Sequence, residues 1–197
     1  MSQTEARYRF IPSGEVDVDD LVVYGGVEFP RFLITQQSFA SKLAKSTEIS
    51  DHVRQERAKG TATEDAGDTH GQYHNEYEWY RDQDLELRAS LARSIGGNLD
   101  RATVVEDYSL VKEVLESMGV RPNQVVTLTS QVSIQYGSDP DDVESILLVA
   151  PLDGGMAAGW VSIETPLAKV LEGRRAGETL PIKVGDERTS IKIVSIR

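Results

Sequence analysis

Three groups of residues have types and spacings that chemistry could use. Glu64, Asp65 and Asp68 stand together in residues 60–71, GTATEDAGDTHG, a stretch with the composition of a turn. Carboxylates gathered at one turn repel one another, and a run of acids is most often a solvated face. His70, His74 and Glu78 repeat at four-residue spacing; on a helix this sets two imidazoles and a carboxylate on one face, as Zn²⁺ ligands would stand. That row has only three members and lacks the acid that metalloprotease helices carry directly after the first His, so polar helix surface is its commoner meaning. Tyr73, Tyr77 and Tyr80 have the spacing of a stacking platform for bases, and also that of a packing stripe against a second helix, which is far commoner. Ser162, Thr165 and Ser190 have no His or Asp in a recognisable pattern, so nucleophilic catalysis is not indicated. No Gly-rich loop leads into Lys-Ser or Lys-Thr, so a phosphate-cradling nucleotide site is not indicated either.

The chain that must position these residues has 197 residues, 39% of them hydrophobic and 27% charged, enough for a core of useful size. Zero cysteines exclude disulfide frameworks, thiolate nucleophiles and Cys-based zinc sites. Neither a long apolar run nor a signal-peptide layout is present, so the expected compartment is the cytoplasm, without a membrane. A net charge of −11 argues against a chain that binds DNA by itself, because phosphate neutralisation needs Lys and Arg, and points to a protein partner. Residues 61–86 hold eight acids and one base, Arg81, so most of the net charge sits in one segment.

Residues 1–34 read as an extension with short strands, one or two of them within 1–30, where Pro12, Gly14, Gly25, Gly26 and Pro30 punctuate the chain. From Thr35, a plausible N-cap, to Gly60 the chain has neither Pro nor Gly and carries Phe39/Leu43 and Ile49/Val53 at four-residue spacing. This predicts a helix about 35 to 40 Å long, with a kink near Ser46–Thr47. After the turn, Tyr73, Tyr77, Tyr80, Leu87 and Leu91 step by three and four with Asp84 in one seat, predicting a second helix that packs on the first. Residues 35–106 therefore form a helical hairpin with an acidic tip near 61–71. A connecting helix follows in 107–119, with Leu110, Val111, Val114, Leu115 and Met118 on one face and Gly119 at its end. Beyond it, Val125–Tyr136, Ser145–Ala150, Trp160–Ile163, Leu180–Val184 and Ser190–Ile196 read as strands, with Leu167–Leu171 helical. The predicted class is α+β, a hairpin followed by a domain with a small antiparallel sheet at 120–197.

Residues 160–197 contain Thr165-Pro166-Leu167, then Leu171-Glu172-Gly173, then Gly177-Glu178, and a final hairpin ending in Ile191–Ile196. This order resembles the C-terminal domain of the Gre family of transcription elongation factors. Val125–Tyr136 and Val143–Pro151 resemble the two preceding strands, and Asn98–Glu106 is similar to the family's exit from its second long helix. The resemblance implies an antiparallel coiled-coil hairpin, an FKBP-like α+β domain and a partner, RNA polymerase, whose secondary channel admits the hairpin. It implies that two tip carboxylates three residues apart, here Asp65 and Asp68 with Glu64 beside them, share a Mg²⁺ with the polymerase only in the complex. It further implies docking near Thr165, Pro166, Leu167 and Gly173. The resulting expectation is no enzyme and no cofactor of its own, but a factor that stimulates cleavage of backtracked RNA and meets the transcript end indirectly. The alternative is a channel-binding regulator without cleavage. An isomerase reading, from the FKBP-like fold, lacks its aromatic cluster, since residues 120–197 hold only Tyr136 and Trp160; it and a free-standing metal-binding protein come last.

Overall fold

In the segment Leu21–Pro30, two alternating apolar runs flank Gly25-Gly26, and both glycines take positive φ, +59° and +78°. Such a two-residue turn follows the natural twist of paired strands. It joins β2 (Leu21–Tyr24) to β3 (Val27–Pro30), which pair antiparallel, while β1 (Tyr8–Arg9) lies parallel on the other side of β3. The computed structural model describes residues 8–10, 17–62, 71–137, 139, 141–184 and 187–197; the side chains of 8, 18, 60–62, 71–78, 184, 187 and 188 are outside the description. Three strands thus stand where one or two were expected. β1 is made by a partner far along the chain, and local alternation does not reveal such pairing.

β4 (Leu33–Thr35) pairs in parallel with β5 (Thr103–Val105). Between them run α1 (Gln36–Ala62) and α2 (Gly71–Asp100). Thr35 Oγ1 accepts from the Ser38 amide at 3.4 Å, a capping contact of the expected kind. α1 passes unbroken through Ser46 and Thr47, and the Thr47 hydroxyl returns to the Leu43 carbonyl at 3.0 Å. Ser46 Oγ donates to the Ala92 carbonyl at 3.1 Å and Arg57 pairs with Glu86 at 3.0 Å, so numbers rise along one helix as they fall along the other.

The buried stripe of α2 corrects the one expected from sequence. Leu85, Ala92 and Leu99, at seven-residue steps, are buried together with Val53 of α1, whereas Tyr80 and Leu87 are 64% and 70% exposed and Leu91 is also open. Turning the Tyr80–Leu91 row inward would have buried Asp84. In the row that forms, Asp84 stays at the surface with Arg88 at 2.7 Å, and the small Ala92 lets Ser46 reach backbone. Leu43 of α1 is exposed as well.

The remaining elements are α3 (Tyr108–Ser117), β6 (Gln131–Tyr136), β7 (Val143–Val149), β8 (Trp160–Ser162), α4 (Pro166–Leu171), β9 (Thr179–Val184) and β10 (Glu187–Ile196). Asp107 caps α3, accepting from the Ser109 and Leu110 amides and from the Ser109 hydroxyl. α3 buries Val111 and Leu115 but leaves Leu110 exposed. The five strands lie in the order β8-β7-β6-β10-β9. The sheet is mixed rather than antiparallel, because β8 runs parallel to β7. Its register pairs Leu147 with Trp160 and Val149 with Ser162, so residues 150–159 need only carry the chain back over the last turns of β7 before it resumes the same direction. Residues 125–130, expected as strand, are irregular: Thr129 sits at φ +72° and the ladder begins at Gln131.

Two compact units result, one from residues 1–38 with 102–197 and the other from 39–101. The core of the first joins Tyr24, Val27 and Phe29 of the N-terminal strands to Val111 and Leu115 of α3, Ile134, Ile146 and Ile191 of the sheet, and Ala168 and Leu171 of α4. No helix among the described residues is long and apolar enough to cross a membrane.

Candidate partner-docking site

Of the residues singled out from sequence, Thr165, Pro166 and Leu167 are brought into the first turn of α4 and Gly173 stands just beyond its end. Ser162 starts this construction. Its carbonyl accepts the Thr165 amide at 3.0 Å and the Thr165 hydroxyl at 2.8 Å. Thr165 Oγ1 in turn accepts from the Ala168 amide at 3.3 Å, and Pro166 fills the first helical position, where its missing N–H is not needed. At the other end Gly173, at φ +72°, donates to the Val126 carbonyl at 2.9 Å. Pro166, Lys169 and Gly173 are exposed and Leu167 is half-buried against the core. Lys169 and Glu172 lie 3.8 Å apart on the outer side.

Glu64, Asp65 and Asp68 lie outside the described residues, as does His70, and the side chains of Tyr73, His74, Tyr77 and Glu78 are likewise outside the description. Among the described residues no three His, Cys, Asp or Glu side chains are grouped to hold a metal ion. Farther along the two helices, Glu86 pairs with Arg57 at 3.0 Å and with Arg93 at 2.8 Å. Hydrogen bonding by Arg93, then its charge and that of Arg57, hold the Glu86 carboxyl below its usual range.

Residues 121–197 match the family model for transcription elongation factor, GreA/GreB, C-terminal domain. Residues 121–197 are a Gre-type C-terminal domain. GreA of Lactococcus lactis subsp. lactis (strain IL1403) is 24% identical over 157 residues, covering 79% of this chain and 85% of that protein. GreA of Ureaplasma parvum serovar 3 is 30% identical over 93 residues, 47% of this chain and 56% of that one. A solved GreA/GreB factor from Nitrosomonas europaea is 24% identical and covers 59% of this chain and 91% of its own, with a TM-score of 0.34; superposition at that score carries nothing about arrangement.

Two polar constellations in this chain went unseen in the sequence. Tyr24 and Gly25 reach α4: the Tyr24 hydroxyl donates to the Ala168 carbonyl at 2.6 Å and the Gly25 amide to Glu172 Oε1 at 2.7 Å. Burial first, and the Glu172 charge second, push the Tyr24 hydroxyl above the tyrosine range, so it remains a donor. The second constellation is at the root of α1, around the fully buried Asp153. It accepts the Thr35 amide and hydroxyl, both at 3.1 Å, and the Tyr108 hydroxyl at 2.5 Å. The Gly25-Gly26 pair signals a hairpin in the sequence, but nothing local says that the hairpin meets residues 168 and 172.

Proposed function

We propose that this Gre-family transcription elongation factor acts on bacterial RNA polymerase through the polymerase secondary channel and stimulates cleavage of backtracked RNA, without being an enzyme itself. The observation that carries this reading is the family match over residues 121–197, with Thr165–Gly173 as a capped, partly exposed helix inside it. The antiparallel pair α1/α2 supplies the arm. The segment of sequence between the two helices contains Glu64, Asp65 and Asp68, and oxygen donors of that kind suit Mg²⁺, which takes one or two carboxylates along with water and phosphate. When bound in the complex, a second Mg²⁺ supplies charge stabilisation for phosphodiester hydrolysis. Asp65 and Asp68, at three-residue spacing, are the residues assigned to it, with Glu64 next. The α4 segment has the role of docking the factor on the polymerase.

The test is cleavage of RNA in backtracked complexes with Mg²⁺. Wild-type protein accelerates cleavage, and the double change Asp65→Asn with Asp68→Asn abolishes it while leaving polymerase affinity within about twofold, since charge is removed and size kept. Binding without Mg²⁺-dependent cleavage by the wild type replaces this reading with the non-cleaving regulator. Cleavage that survives the double change moves the role to other acids.

A further inference from the structure

α4 has only six residues, far fewer than a helix needs to stand by itself in water. Its inner side is held by Ala168 and Leu171 in the core; its other support comes from the β2–β3 turn. The Ala168 carbonyl accepts twice, from the Glu172 amide at 2.9 Å and from the Tyr24 hydroxyl at 2.6 Å. Glu172 accepts the Gly25 amide, and the Lys169 ammonium lies 4.9 Å over the Tyr24 ring. The fit is close enough to require glycine. A Cβ on Gly25 would stand 2.5 Å from Thr127 Oγ1 and 3.4 Å from Thr127 Cα, whereas one on Gly26 would meet nothing within 4 Å.

We propose that the β2–β3 turn is a brace for the docking helix, with Tyr24 and Gly25 as positioning residues for partner binding through Thr165–Gly173. The bracing is a property of this chain alone; only its effect on affinity rests on the docking role assigned above. It gives residues 21–30 a task that their sequence does not announce, namely holding a short helix in one conformation before any partner arrives. Preorganisation of this kind removes an ordering cost from the binding step.

Gly25→Ala and Gly26→Ala form a matched pair for the test, because both place a side chain at positive φ but only the first overlaps Thr127. Hydrogen exchange of the α4 amides is followed in the full chain for both, for Tyr24→Phe and for the wild type, together with affinity for RNA polymerase. Exchange at Lys169–Glu172 is expected to be about tenfold faster in Gly25→Ala than in Gly26→Ala, and about fivefold faster in Tyr24→Phe than in the wild type. Polymerase affinity falls in the same order. If Gly25→Ala and Gly26→Ala exchange alike and Tyr24→Phe matches the wild type, the brace is overturned, whatever the polymerase does. Faster exchange with unchanged affinity overturns the positioning role. A wild type that does not bind polymerase refutes the docking reading instead, and accelerated exchange then still supports the brace. Should Gly25→Ala fail to fold, Tyr24→Phe, which loses one oxygen and keeps the ring, decides the matter.

Discussion

Thr129 is a β-branched residue held at φ +72°, where the side chain crowds the following carbonyl and where the strain is of the order of 1–2 kcal/mol. Its amide is anchored to the Leu148 carbonyl at 2.9 Å, and its buried hydroxyl finds no hydrogen-bond partner among the described residues. Glycine relieves both penalties and restores some unfolded-state entropy in exchange. Thr129→Gly is therefore expected to stabilise the fold by about 1 kcal/mol, raising the urea midpoint at constant slope; a lower midpoint refutes the assignment of strain. Asp107 offers a second residue-scale test. Its carboxyl is held below the usual range by the Ser109 hydroxyl first and then by the Leu110 amide. The folded state thus binds this proton more weakly than the unfolded one, so the contribution is complete above the ordinary carboxylate range and disappears as pH falls through the lower folded value. Asp107→Asn keeps a capping oxygen and should flatten that part of the stability–pH curve; an unchanged acid limb rules the cap out as its source.

At the scale of elements, the helical pair gives the sharpest contrast. Leu85 is 4% exposed and Leu87, two residues on, is 70% exposed. Leu85→Ala should destabilise the pair by about 2–3 kcal/mol, whereas Leu87→Ala stays within about 0.5 kcal/mol. Helical circular dichroism against temperature separates them, and equal effects would return the seam to the Tyr80–Leu91 row. The same contrast shows where sequence reading worked and where it stopped. Helix limits at Thr35 and near Gly60, the cap at Thr165-Pro166 and the strand runs after Gln131 are written in local spacing and end signals. Which of two apolar rows on α2 turns inward depends on Ser46 and Ala92 meeting across the pair, and that is not local. Thr129 misled for a related reason: Val125–Tyr136 has strand composition throughout, but Val126 and Thr129 bond to Arg174 and Leu148, and those partners bend the chain out of the ladder. The α4 segment was legible and its brace was not, while Glu64, Asp65 and Asp68 lie outside the described residues.

For the molecule as a whole, the pairing of β4 with β5 has a topological meaning. Two neighbouring strands running in the same direction always require a crossover, because the chain leaves the end of one and must return to the start of the other, and a dozen or so residues suffice. Here the crossover has been lengthened into the entire 39–101 unit, while both of its anchors, the β4/β5 register and the grip of Asp153 on Thr35, belong to the other unit. Replacing 39–101 by a flexible linker of about 12 residues should then leave the remaining unit folded. Loop-closure entropy favours the shortened chain by about 1.5 kcal/mol. A cooperative thermal transition with Tyr108 still buried is the expected result, and a chain that melts without cooperativity would show that the helices are needed for folding. Because closure entropy grows only with the logarithm of loop length, adding or removing turns of the helical pair changes the stability of the β unit by fractions of a kcal/mol. The length of the helical pair is thereby nearly free to vary, while the β unit depends on the packing of its own core.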